Sequence, residues 1–93
     1  MASSVELRKA EQLRIQKAEL ERKNHIMQKL GDEIVRLREL HDMKQAELGR
    51  RVGVVQSYIW QIENGNREPV LSVLSRIADV FDLPLSTLVA VCD

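Results

Sequence analysis

Aromatic residues are scarce in this sequence of 93 residues, which contains one Trp, one Tyr and one Phe. Aliphatic side chains must therefore fill the core, which favours packing of helix on helix. The same scarcity excludes a ligand cage built from several large aromatic rings. With 44% hydrophobic and 30% charged residues, the composition is that of an ordinary globular protein with a packed core.

Cysteine and long apolar runs are also nearly absent. The single cysteine, Cys92, excludes an intramolecular disulfide, and the N-terminus lacks the apolar stretch of a signal peptide. No apolar run reaches the about 18 residues that a membrane-spanning helix needs. We therefore expect a cytoplasmic protein without a membrane span. His25, His41 and Cys92 are scattered without the paired spacing of zinc ligands, so we expect no metal and no other cofactor.

The net charge is zero because 14 basic and 14 acidic residues cancel, but the charge is divided unevenly along the chain. Residues 1–29 carry seven basic and four acidic residues, a net charge of +3. Residues 30–93 hold the other seven basic and ten acidic residues, a net charge of −3. Binding of nucleic acid by the second part therefore requires a local basic patch.

Residues 1–29 contain no Gly or Pro and are rich in good helix formers, so they are predicted to be an N-terminal helical extension. Leu13, Leu20 and Met27 recur every seven residues, but the companion positions are polar, which argues against a stable coiled coil. A mostly polar helix of this length is marginal alone, so residues 5–29 are expected either to bind a partner surface or to fray. The pattern leaves open whether Gly31 separates this helix from the next one.

Residues 30–93 have the sharper periodicity of a domain of five short helices with brief connections. Gly53 and Gly65 end the second and third of these helices, and Pro84 opens the last one. The residues expected to face inward in the first and fourth helices are Leu30, Ile34, Leu37, Leu40, Leu71, Leu74, Ile77, Ala78 and Phe81.

Residues 45–65 have the spacing of a helix-turn-helix. Five aliphatic side chains can converge on one side of the two helices, namely Leu48, Val52, Val54, Ile59 and Ile62. Gly53 can supply the positive φ that turns the chain between the helices. Gly49, in the middle of a helix, costs about 1 kcal/mol relative to alanine, so we interpret it as the point where the second helix approaches closely.

With these features the sequence resembles the lambda-repressor-like, Cro/C1-type (XRE) family of helix-turn-helix proteins, from Leu30 to about Val89. The matching residues are Ile34, Leu37, Arg38, Gln45, Leu48, Gly53, Gln56, Ser57, Ile59, Glu63, Gly65, Arg67, Pro69, Leu74, Ile77, Ala78 and Leu88. Three positions depart from the pattern. Gly49 replaces the usual alanine, and Lys44 and Val55 replace residues that cap the two helices. The resemblance implies an all-α, five-helix domain, here with an extra N-terminal helix.

The resemblance also implies the roles of individual residues. The third helix of the domain enters the major groove, which assigns base reading to Gln56, Ser57, Gln61 and Tyr58. A glutamine amide matches the donor and acceptor of adenine, which supports this role. Contacts with the phosphate backbone fall to Lys44, Gln45, Asn64 and Arg67. Arg38 and Glu63 resemble a structural ion pair of the family. Trp60 can either cover the core or face the groove.

The leading hypothesis is a transcriptional regulator, a repressor, that binds double-stranded DNA as a homodimer on a palindromic operator. The last helix supplies more apolar surface than it can bury alone, so the predicted dimer contact consists of Leu85, Leu88, Val89 and Val91. The alternative is an antitoxin-type protein whose N-terminal helix binds a protein partner while the helix-turn-helix regulates its own operon. Nothing aligns a catalytic triad or a phosphate loop, so an enzyme is not expected.

Overall fold

The computed structural model describes residues 3–93, and the regular secondary structure in this range is entirely α-helical. The helices are α1 (Ser4–Leu40), α2 (Gln45–Val52), α3 (Gln56–Glu63), α4 (Leu71–Val80) and α5 (Leu85–Ala90). The predicted all-α fold is confirmed. Residues 1 and 2, the start of the predicted extension, lie outside the described range.

The extension is the N-terminal part of α1 and not a helix of its own. The 37-residue α1 begins with a capping box, in which the side chain of Ser3 accepts from the Glu6 amide and the Glu6 carboxylate accepts from the Ser3 amide. Residues 3–25 are all exposed, and burial begins at Ile26. The helix is about 55 Å long at 1.5 Å per residue. Since the molecule measures 60 × 24 × 20 Å, this exposed part projects from the folded domain as an arm.

Gly31 lies inside α1 and does not end it. The residue is buried where α1 crosses the end of α3, and a Cβ atom at this position would lie 2.5 Å from the carbonyl oxygen of Ile62 and 2.7 Å from that of Glu63. Only a residue without a side chain permits this approach. The question that the sequence left open is thereby answered, because helix-forming neighbours carry α1 through the glycine.

The core lies between the C-terminal part of α1 and the four shorter helices. It consists of Leu30, Ile34, Leu37, Met43, Leu48, Val52, Ile59, Ile62, Val73, Leu74, Ile77, Ala78, Phe81 and Leu88. The prediction that Leu40 and Leu71 face the core is wrong, because these side chains are 68% and 67% exposed. Each is six residues from a fully buried isoleucine, Ile34 or Ile77, and six residues rotate a side chain by about 120° around the helix.

The short α5 packs against α4 through Leu88, which has 0% exposure. This corrects the prediction that Leu88 belongs to a dimer contact, since a side chain enclosed within one chain cannot reach a second one. Val89 remains exposed, and Leu85 and Val91 are half-buried. Within residues 3–93, no helix is both long and apolar enough to cross a membrane.

Candidate nucleic-acid interface

A sharp turn between α2 and α3 sets the geometry of the interface. Gly53 ends α2 with a φ of 86°, and a Cβ atom on Gly49 would lie 2.8 Å from the carbonyl oxygen of Val54. Both glycines thus do what the sequence predicted. Arg76 of α4 adds a further restraint, because its Nη1 donates to the carbonyl oxygen of Val52 at 2.9 Å. This cation at the C-terminal end of α2 also complements the helix dipole.

Neither helix of the motif has a side-chain cap at its N-terminus. Lys44 and Val55 are the N-cap residues of α2 and α3, and neither side chain accepts a hydrogen bond from the helix. The first amide groups of each helix therefore remain available to water or to an anion, as is usual at an uncapped N-terminus.

The exposed face of α3 carries Gln56, Ser57 and Trp60, with Gln61 half-buried beside them. Trp60 is 49% exposed, so it does not cover the core. Because it follows Gln56 by four residues, the two side chains lie on the same face of the helix. The sequence left both orientations of Trp60 open, and the position of α3 on the core decides between them.

Two glutamines connect this face to the interior of the domain. Nε2 of Gln56 donates to Oε1 of Gln45 at 3.4 Å, and Nε2 of Gln45 donates to Oε1 of Glu63 at 2.9 Å. A carboxylate can only accept, so Glu63 fixes which way the Gln45 amide points. The oxygen of Gln45 is consequently turned toward Gln56.

Arg38 and Glu63 anchor the network in the core. Nε and Nη2 of Arg38 donate to the two carboxylate oxygens of Glu63 at 2.8 and 3.1 Å, a bidentate ion pair. Nη1 of Arg38 also donates to the carbonyl oxygen of Met43 at 2.9 Å. The Arg38 and Glu63 side chains are only 16% and 3% exposed. The pair therefore joins α1 to the end of α3.

The loop after α3 carries the remaining predicted residues. Asn64 follows the last residue of α3, and its Nδ2 donates to the carbonyl oxygen of Trp60 at 2.8 Å. Arg67 turns back over α3, where its Nη1 donates to Oε1 of Gln61 at 3.1 Å. Its guanidinium carbon lies 4.4 Å from the centre of the Tyr58 ring. Tyr58 is half-buried, and its hydroxyl accepts from the Val70 amide at 3.3 Å.

The groups with shifted pKa values lie away from this surface. Arg36 donates to Glu33 on α1, which lowers the pKa of the Glu33 carboxyl and raises the pKa of Arg36. Burial raises the pKa of the Cys92 thiol, at the C-terminal end of the chain. Among residues 3–93, no cluster of three or more His, Cys, Asp or Glu side chains is arranged to hold a metal ion.

The comparisons with known proteins agree with this geometry. A family model described as a helix-turn-helix matches residues 34–88, more than half of the chain. The chain belongs to the Cro/C1-type (XRE) helix-turn-helix family, and the predicted resemblance is confirmed. The match places α2 and α3 within the helix-turn-helix of this family. Members of this family are DNA-binding regulators and not enzymes, which also confirms that expectation.

Two curated relatives illustrate the family. An uncharacterized HTH-type transcriptional regulator, y4dL, of Sinorhizobium fredii is 46% identical over 48 residues, which are 52% of this chain and 24% of the relative. The chain thus spans about a quarter of the length of that regulator. The ImmF control region 10 kDa protein of Bacillus phage phi105 is 38% identical over 60 residues, which are 64% of this chain and 67% of the phage protein.

Two solved structures share the fold. The clp gene regulator ClgR of Corynebacterium glutamicum superposes with a TM-score of 0.67 at 16% identity, over 72% of this chain and 71% of that one. The restriction-modification controller protein C.AhdI of Aeromonas hydrophila superposes with a TM-score of 0.64 at 26% identity, over 67% of this chain and 94% of that one.

Proposed function

We propose that this regulator recognises a palindromic DNA operator in a sequence-specific manner and represses transcription as a homodimer. The observation that carries the proposal is the exposed polar face of α3, with Gln56 connected through Gln45 to the buried carboxylate of Glu63. A side chain held in this way loses little conformational entropy when it contacts a base. The phage relative is a control-region protein by name, which is consistent with repression.

The proposed base-reading residues are Gln56, Ser57 and Gln61, to which we add Trp60. Its indole N–H can donate and its ring can contact a thymine methyl group. Tyr58 was predicted to read bases, but it contacts Arg67 and Val70, so we propose that it supports the surface instead. The proposed phosphate contacts remain Lys44, Gln45, Asn64 and Arg67, at the start of α2 and after α3.

Base reading by Gln56 is tested by Gln56→Ala. We expect specific affinity to fall by about 1–3 kcal/mol and the preference at one operator position to relax, because a bidentate contact with one base is lost. Selection of sites from a random DNA pool, followed by titration of the selected operator, measures both effects. Gln16→Ala, which removes an exposed glutamine from the arm, is the control. An equal loss of affinity for random DNA would instead assign Gln56 to the backbone.

The proposed dimer contact is the outer face of α5. Leu85 and Val89 are four residues apart and share this face, and Val91 follows the helix. Val89 is 46% exposed, whereas a symmetric contact would bury it. A domain of about 64 residues buries only about 60% of its unfolded surface, so a second copy would also add stability. Two half-sites would then lie about 34–36 Å apart, one turn of DNA.

The dimer contact predicts the effect of Val89→Asp. The variant should be monomeric and should bind the operator at least tenfold more weakly, since each subunit then holds only one half-site. Sedimentation and operator titration measure the two properties. Thr87→Asp places the same charge on another exposed side of α5 and should remain dimeric. A dimeric Val89→Asp protein would contradict the proposed contact.

An interaction protein of the antitoxin type is the second candidate, and the exposed arm favours it. The arm carries Val5, Leu7, Leu13, Ile15 and Leu20, each at least 53% exposed.

In the same sedimentation experiment, deletion of residues 1–22 should leave a folded dimer that binds the operator. It removes the apolar side chains but keeps Lys23, whose Nζ contacts Glu68 at 3.1 Å. A native protein that co-purifies with the full chain and not with the deletion variant would favour this candidate.

A further inference from the structure

Arg67 is held against the recognition helix by two contacts of different kinds. Its Nη1 donates to Oε1 of Gln61, and the same guanidinium group lies over the ring of Tyr58. Tyr58 is itself fixed, because its hydroxyl accepts from the Val70 amide and its ring packs against the core. These contacts hold the Arg67 side chain in one position, although the residue lies in a loop and is exposed.

The chemistry of the two side chains decides how the Gln61 amide is oriented. A guanidinium group has only donors, so the atom of Gln61 that faces Arg67 must be the carbonyl oxygen. The amide nitrogen then faces away from Arg67 with both of its hydrogens free. Without Arg67, the two ends of this amide could exchange places by rotation about the last side-chain bond.

We propose that Arg67 is a positioning residue for specificity, which makes Gln61 read hydrogen-bond acceptors on the edge of a base. The proposal rests on the proposed function of α3 in the major groove. Guanine, adenine and thymine each present an acceptor there, whereas cytosine presents only its N4 amino donor. The operator position that Gln61 contacts should therefore exclude cytosine. The remaining N–H groups of Arg67 stay free for a phosphate, so the two roles are compatible.

Two substitutions separate the positioning role from the phosphate role. Arg67→Lys keeps the charge but loses the planar group that stacks on Tyr58 and fixes the amide. We expect the salt dependence of binding to be unchanged, while discrimination against cytosine at one position falls about five- to tenfold, the worth of about one hydrogen bond. Arg67→Met should relax the same position and also reduce the salt slope by about one unit.

The measurement is a binding profile over all four bases at each operator position, taken at several salt concentrations. Arg50→Lys, at an exposed position of α2, is the matched control and should leave the profile unchanged. In a Gln61→Ala background, Arg67→Lys should change nothing further at that position, because there is no amide left to orient. Thermal unfolding of each variant should match the parent.

Three outcomes would overturn the proposal: an unaltered profile in both Arg67→Lys and Arg67→Met, strong acceptance of cytosine by the parent protein, or an additive effect of Arg67→Lys in the Gln61→Ala background. The last of these would give Arg67 a base contact of its own. Failure of the proposed function looks different, since the parent would then select no common sequence and Gln56→Ala would lower all affinities equally.

Discussion

Gly31→Ala is expected to lower the free energy of unfolding by about 3 kcal/mol, the upper part of the range for overpacked sites. Elsewhere in a helix the same change stabilises by about 1 kcal/mol, so the expected sign is opposite to that of helix propensity. The added Cβ would lie 2.5 and 2.7 Å from the carbonyl oxygens of Ile62 and Glu63. These are backbone atoms, and α1 and α3 must separate to make room.

Chemical denaturation followed by circular dichroism measures this effect. Asn24→Ala, an exposed position on the same helix, is the control and should be neutral or slightly stabilising. We also expect Gly31→Ala to weaken specific DNA binding, because separation of α1 from α3 pulls Arg38 away from Glu63. A variant as stable as the parent would show that the two helices can part without cost.

Gly31 also shows why the sequence predicts an all-α fold but does not decide whether α1 continues through this glycine. The flanking residues of α1 are strong helix formers, and the penalty of one glycine is too small to end such a helix. The reason for the glycine is its contact with residues more than thirty positions away, which local periodicity cannot reveal. Gly53, in contrast, was predicted correctly because a turn of positive φ is a local requirement.

Some features of the candidate site could likewise be predicted from the sequence, whereas others depend on how the helices pack. The residue types on α3 predict a reading face, but not which of its two aromatic residues belongs to that face. Tyr58 and Trp60 are two residues apart and therefore about 160° apart around the helix, so the packing of α3 on the core decides between them. The contact of Arg67 with Gln61 was equally beyond the sequence, because it depends on the path of a loop. Leu88 was misassigned because an apolar residue on a short helix suits a core and an interface equally well.

The ion pair of Arg38 and Glu63 gives the last prediction. Arg38→Ala and Glu63→Ala should each destabilise the domain by about 3–5 kcal/mol, the usual cost of leaving one partner of a buried pair alone. Arg38→Ala should be the more costly change. It leaves the carboxylate of Glu63 buried with a single neutral donor, Gln45, whereas Glu63→Ala leaves a guanidinium that still donates to Met43 and reaches solvent.

The double variant should be less destabilised than the sum of the two single variants, because removal of both charges leaves neither unpaired. Denaturation of all four proteins measures the coupling, and the exposed pair of Lys23 and Glu68 provides a matched cycle in which a coupling of at most about 1 kcal/mol is expected. Glu63→Gln adds a functional test. A neutral amide can present either end to Gln45, so the orientation passed on to Gln56 is lost, and specific DNA binding should fall by more than binding to random DNA. Additive single effects would show that the pair does not hold α3. Equal losses on both kinds of DNA would show that the pair does not orient the reading face.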